Sequence, residues 1–202
     1  MRAVLRFVAS VMMVSGALLI TDAAVTLLWQ EPISAVVAHR EQSRLKEALI
    51  EPPARVIGRM PLPGDAIGRI DIPAIGVRDY VVEGTDLENL RKGPGHYPDT
   101  PLPGDRGTVA IAGHRTTYGA PFRRIDELDR GQEIAVDMPY GRYVYRVERT
   151  KIVEPTDLSV LDRVRHDRLV LSACHPLYSA AQRVVVFSRL ARRERSRVRR
   201  QS

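Results

Sequence analysis

A single cysteine is the first residue of this chain that calls for a chemical explanation. Cys174 stands alone among 202 residues, so it can join neither an intramolecular disulfide nor a cysteine-rich zinc site. It closes an apolar run in Leu171-Ser172-Ala173-Cys174-His175-Pro176. Two further segments have the same character. Ala112-Gly113-His114-Arg115 places a histidine at the end of a second apolar run, and Gln182-Arg183-Val184-Val185-Val186 opens a third with an arginine. Strand ends and loop mouths are where a rigid sheet presents reactive groups. A thiol with an ordinary pKa of about 8.5 is mostly protonated at neutral pH, and a neighbouring cation favours the thiolate. An imidazole can carry protons. A guanidinium stays charged and can only hold a carbonyl or a developing oxyanion. Nucleophile, proton carrier and fixed cation together suit acyl transfer.

The elements that must position these groups read as β-structure. Ala66 to Ile72 alternates and Val77 to Val82 is a second β-rich run. Asp86 is placed to N-cap a short helix over Leu87 to Arg91, which ends at Gly93-Pro94. Thr108 to Gly113 leads into His114. Glu133 to Met138 and Arg142 to Val153 form a hairpin around Pro139-Tyr140-Gly141, and Arg168 to Ala173 and Arg183 to Leu190 are the last strands. Phe122 to Leu128 reads as one helical turn, and Asp157 to Leu161 is short and ambiguous. Seven or eight short strands with token helix predict an all-β barrel or sandwich.

The N-terminus sets the expected compartment. Arg2 and Arg6 precede a largely apolar stretch of 23 residues from Phe7 to Trp29, interrupted by Thr21-Asp22. A helix of that length spans a bilayer core of about 30 Å. Trp29 suits the far interface, and the basic N-terminal flank keeps that end cytoplasmic. A cleaved signal peptide ending at Ala35-Val36-Val37-Ala38 is the competing reading, although the stretch exceeds the usual h-region of about 7–15 residues. Both deliver the rest of the chain outside the cytoplasm, where an unpaired thiol is a liability unless it does chemistry. The expected organisation is therefore a cytoplasmic N-terminus and transmembrane anchor over 1–29, an extracytoplasmic stalk over 30–65, a catalytic domain over 66–190 and a disordered basic tail over 191–202. The stalk is polar and helix-compatible up to Ile50, and Glu51-Pro-Pro and Met60-Pro-Leu-Pro-Gly then break it.

The net charge of +7 is concentrated: residues 191–202 hold six Arg and one Glu, leaving +2 for everything before them. The globular part is nearly neutral, which speaks against nucleic acid and for a tail that meets anionic wall polymer or lipid headgroups. His39, His96 and His166 have no ligand-spaced companions, so no metal and no cofactor are expected.

The three segments resemble the sortases, membrane-anchored cysteine transpeptidases of Gram-positive bacteria, over about residues 67–190. Ala112-Gly113-His114 is similar to the histidine strand of that family, Val170-Leu171-Ser172-Ala173-Cys174 to its Thr-Leu-X-Thr-Cys motif, and Arg183, nine residues after Cys174, to its arginine. Gly113-His114-Arg115-Thr116-Thr117-Tyr118-Gly119-Ala120-Pro121-Phe122 and Cys174-His175-Pro176 look most like the class E branch. The resemblance implies a closed β-barrel with one or two short helices behind a transmembrane helix. It implies that Cys174 attacks the Thr–Gly carbonyl of a C-terminal sorting signal, that His114 moves the protons and that Arg183 holds the oxyanion. The implied partners are surface proteins bearing the signal, the amine of a lipid II-like peptidoglycan precursor or a pilin lysine, and the membrane lipid. For class E the signal is Leu-Ala-X-Thr-Gly, with Tyr97 at the position associated with that preference. Tyr118, Ala173 and His175 are further substrate-contacting positions by the same resemblance. Val170 and Ala173 replace threonines of the general motif, and Ala173 lacks the side-chain donor a threonine would offer. His175 is expected to border the site, because adjacent residues of an extended chain point to opposite sides. Two other readings stay open from the residues alone: an extracytoplasmic cysteine hydrolase of wall peptides, and a non-catalytic wall-binding module with an inert thiol.

Overall fold

A computed structural model describes residues 2–28, 32–50 and 61–195. Eight strands close into one barrel: β1 (Ala66–Ile72), β2 (Val77–Glu83), β3 (Gly95–His96), β4 (Thr108–Ala112), β5 (Glu133–Met138), β6 (Gly141–Val153), β7 (Arg168–His175) and β8 (Gln182–Arg195). Their order around the barrel is β1-β2-β3-β4-β7-β8-β6-β5. Among the described residues three α-helices accompany them: α1 (Arg2–Leu28), α2 (Pro32–Ile50) and α3 (Leu87–Leu90). Asp86 caps α3 as its residue type foretells, its carboxylate accepting the Asn89 N–H at 3.0 Å. Closure leaves the barrel no free edge, and the expected all-β barrel is the observed one.

Alternation along the strands builds two apolar layers. Val109 and Ile111 of β4, Leu169, Leu171 and Ala173 of β7, and Val184 and Val186 of β8 face the interior with Ile70, Ile134 and Phe122. Ala110, Val170, Val185 and Phe187 face outward and are covered by Tyr97, Val160 and Leu161. Both faces of these three strands are therefore buried at mid-length, which explains their near-continuous apolar sequences.

β3 is the element the sequence pattern misses. Two residues are too few to show a period, and a buried polar cluster holds them instead. His96 Nδ1 lies 2.9 Å from the Glu83 carboxylate, and its Nε2 lies 3.1 Å from the Pro101 carbonyl oxygen.

The basic tail is corrected in part. β8 runs to Arg195 and pairs with β6 from Val144↔Arg192 to Gly141↔Arg195. Carboxylates on neighbouring elements neutralise its arginines: Arg192 lies 2.7 Å from Glu133 and Arg193 lies 2.8 Å from Asp167. A count of local charge cannot see partners that are distant in sequence. The remainder of the expected tail, and Trp29, lie outside the described residues.

The stretch read as a stalk forms α2, and this helix packs against the barrel. The Gln42 carboxamide donates to the Tyr80 and Lys92 carbonyls at 2.9 and 2.8 Å and accepts the Tyr80 N–H at 2.6 Å. Ala38 and Leu45 are buried by the same docking. α1 is apolar and none of its best 18-residue window is buried, so by length and composition it can cross a membrane.

Candidate active site

Register brings the three segments together. β7 lies between β4 and β8, parallel to the first with Ala112↔Ser172 and antiparallel to the second with Cys174↔Arg183. The Gly113 N–H still donates to the Ser172 carbonyl at 3.0 Å. His114 therefore leaves β4 at the level of Cys174, whose direct cross-strand neighbour is Arg183. The outward series Ala110, Ala112, His114 and Val170, Ser172, Cys174 run side by side, and Phe187, Val185, Arg183 completes the face. Small side chains, Ala110, Ala112 and Ser172, precede the reactive ones on this face. Cys174 is a free, half-buried cysteine. It lies outside the two clefts of about 400 and 440 Å³ that flank this region.

The histidine is held by a loop of unusual backbone. Tyr118, Gly119 and Ala120 all have positive φ, at 50°, 75° and 45°, a conformation L-residues seldom adopt. The Phe122 N–H returns to the His114 carbonyl at 2.9 Å, and the Tyr118 N–H donates to Ser34 Oγ of α2 at 3.1 Å. Gly113 is required for close approach, because a Cβ there would sit 2.5 Å from the Phe122 ring. The Tyr118 ring stacks obliquely on His114 with centroids 5.3 Å apart, and the Arg91 guanidinium lies over Tyr118 at 5.6 Å. Burial, and then the Arg91 charge, hold the His114 pKa below the ordinary histidine value. Its Nε2 is buried without a hydrogen-bond partner among the described residues, and such an atom calls for an explanation.

Arg183 lies beside this pair. Its Nη1 donates to the Ala180 and Gln182 carbonyls, both at 2.9 Å, and no carboxylate among the described residues neutralises it. The Tyr97 hydroxyl lies 3.3 Å from Ser172 Oγ, two residues before the thiol. His175 borders the site at the strand end. Ala173 is corrected: its side chain is buried in the barrel interior, because the alternation that turns Cys174 outward turns its neighbour inward. Sequence reading also passed over Arg91, Ser172 and Arg115, whose contacts depend on distant elements. Among the described residues no three His, Cys, Asp or Glu gather to hold a metal ion.

The family model for the sortase domain matches residues 70–191. The chain belongs to the sortase family. Its sequence is 35% identical to Sortase D of Bacillus subtilis over 134 residues, which cover 64% of this chain and 66% of that protein. The matched stretches cover between 41% and 66% of the curated relatives, so those proteins extend well beyond them. Among solved structures, a Clostridium perfringens Sortase D5 transpeptidase superposes with a TM-score of 0.67 at 27% identity, covering 78% of this chain and 99% of that one. Sortase E from Streptomyces avermitilis does so with a TM-score of 0.63 at 30% identity, covering 70% and 97%. This sortase thus has relatives bearing both D and E designations.

Proposed function

We propose that this sortase is a membrane-anchored cysteine transpeptidase that cuts a C-terminal sorting signal between Thr and Gly and passes the acyl group to an amine. The observation that carries the reading is the register, which pairs Cys174 with Arg183 and sets the end of β4, two residues before His114, beside Ser172, together with a His114 Nε2 buried without a hydrogen-bond partner among the described residues. The His114 imidazole takes the thiol proton as Sγ of Cys174 adds to the threonine carbonyl carbon, and the Arg183 guanidinium holds the oxyanion. The C–N bond breaks as His114 gives a proton to the departing glycine amine, leaving a thioester. The neutral imidazole then takes a proton from an incoming amine, which attacks the thioester and expels the thiolate. A lowered His114 pKa suits the second half, since the ring is mostly unprotonated at neutral pH.

Acceptors consistent with this chemistry are the amine of a lipid II-like wall precursor or a pilin lysine. The α1 helix supplies the anchor, with the catalytic domain outside the cytoplasm. Tyr97, hydrogen-bonded to Ser172 two residues before the thiol, supports a class E preference for Leu-Ala-X-Thr-Gly over Leu-Pro-X-Thr-Gly. The test is a paired peptide assay with a glycine-based amine, followed by mass spectrometry. Expected are an acyl-amine product, a Cys174 thioester when the amine is withheld, and faster turnover of the alanine-containing peptide. Hydrolysis that added amine never diverts would overturn transpeptidation, and equal rates for the two peptides would overturn the class E preference.

A further inference from the structure

Arg115 follows the active histidine but has no place in the chemistry above, and its side chain is only 2% exposed. Burying a permanent cation is costly unless its donors are satisfied. Here they are. Nε and Nη2 donate to the Arg123 carbonyl at 3.2 and 3.1 Å, and Nη2 meets the Asp126 carboxylate at 2.7 Å. The remaining nitrogen, Nη1, lies 3.3 Å from the Cys174 carbonyl oxygen and 3.3 Å from His175 Nδ1.

The ladder geometry gives that last contact its meaning. Between parallel strands the bonds recur every second residue. The Gly113 N–H donates to the Ser172 carbonyl, so the next rung would run from the Arg115 N–H to the Cys174 carbonyl. β4 has already ended at Ala112, and the Arg115 N–H makes no backbone hydrogen bond to β7 among the described residues. The guanidinium of the same residue supplies the rung instead. The peptide group of the nucleophile thus stays anchored beyond the end of β4. The contact to His175 is equally constrained. A guanidinium only donates, so Nδ1 must accept and the ring proton resides on Nε2.

Resting on the transpeptidase reading, we propose that Arg115 is a positioning residue that fixes the Cys174 backbone and the Nε2–H tautomer of His175 through one buried guanidinium. The test compares the full chain with Arg115→Gln, Arg115→Lys and Asp126→Asn. Misplacing a reacting group by about 1 Å costs on the order of a hundredfold in rate. Arg115→Gln is expected to lose about that factor in kcat with KM little changed. In nitrogen-resolved NMR, His175 is expected to show one protonated and one unprotonated ring nitrogen, and these signals to merge in Arg115→Gln. Asp126→Asn keeps the fork and should keep the tautomer. If Arg115→Gln does not fold, Arg115→Lys decides, because a single ammonium cannot span both the Arg123 and Cys174 sides. A folded variant with unchanged kcat and unchanged His175 signals overturns the proposal. The NMR readout needs no sorting peptide, so it reports on Arg115 even if the substrate assignment fails.

Discussion

The two halves of β8 make opposite use of arginine. Its first half, beside Cys174, carries Arg183, whose guanidinium donates to backbone carbonyls at its own loop. Its second half carries Arg189, Arg192 and Arg193, each within 3 Å of a carboxylate on Glu148, Glu133 or Asp167. The same residue type on one strand thus has two roles. A neutralised arginine closes a barrel seam and cannot give its charge to anything else. An arginine held only by neutral carbonyls is fixed in place yet still presents a full positive charge to an anion that forms beside it. Carboxylate pairing marks the two sets apart.

The most severe way to break this contrast is to remove the group Arg183 serves. Cys174→Ala is expected to abolish formation of the acyl-amine product, a loss of at least about a thousandfold, measured by product mass spectrometry. Arg183→Ala should follow, with kcat lower by about a hundred- to a thousandfold and the thermal midpoint little changed. The matched control, Arg192→Ala, should leave turnover unaltered, as expected of an exposed ion pair. Equal losses in the two arginine variants would erase the distinction.

Gly113→Ala tests the scaffold under the histidine. The added Cβ would meet the Phe122 ring, and overpacking of this kind costs about 1–3 kcal/mol, readable by denaturant unfolding alongside a fall in kcat. Arg91→Ala is the gentlest probe. Removing a cation favours the protonated imidazole, so the His114 pKa should rise towards about 6.5, followed by NMR titration. The sign carries into stability. A His114 held neutral in the fold is penalised as pH falls below its unfolded value, and Arg91→Ala should soften that acid-side loss.

Much of this arrangement is legible in the chain before any coordinates. The strands that carry His114, Cys174 and Arg183 are apolar runs with a reactive residue at one end, and spacing alone places those ends on loops or strand termini. The parallel pairing of β4 with β7 is not legible, because nothing local encodes which strand lies beside which. The same blindness hides Arg115, a guanidinium that matters only once residues 60 positions apart share a rung, and the carboxylates that turn a supposed tail into a strand. Ala173 shows the reverse error. A motif match treats neighbours as equals, whereas a pleated strand sends them to opposite sides of the sheet.

Gln42 has a bearing on where this protein can be cut. Its carboxamide completes the hydrogen bonding of both peptide groups flanking the Tyr80 α-carbon, although it precedes the region matched by the family model. A fragment starting at residue 61 would expose those groups to water and unseat the segment bearing Arg91. Limited proteolysis should therefore spare α2 for as long as the barrel remains intact.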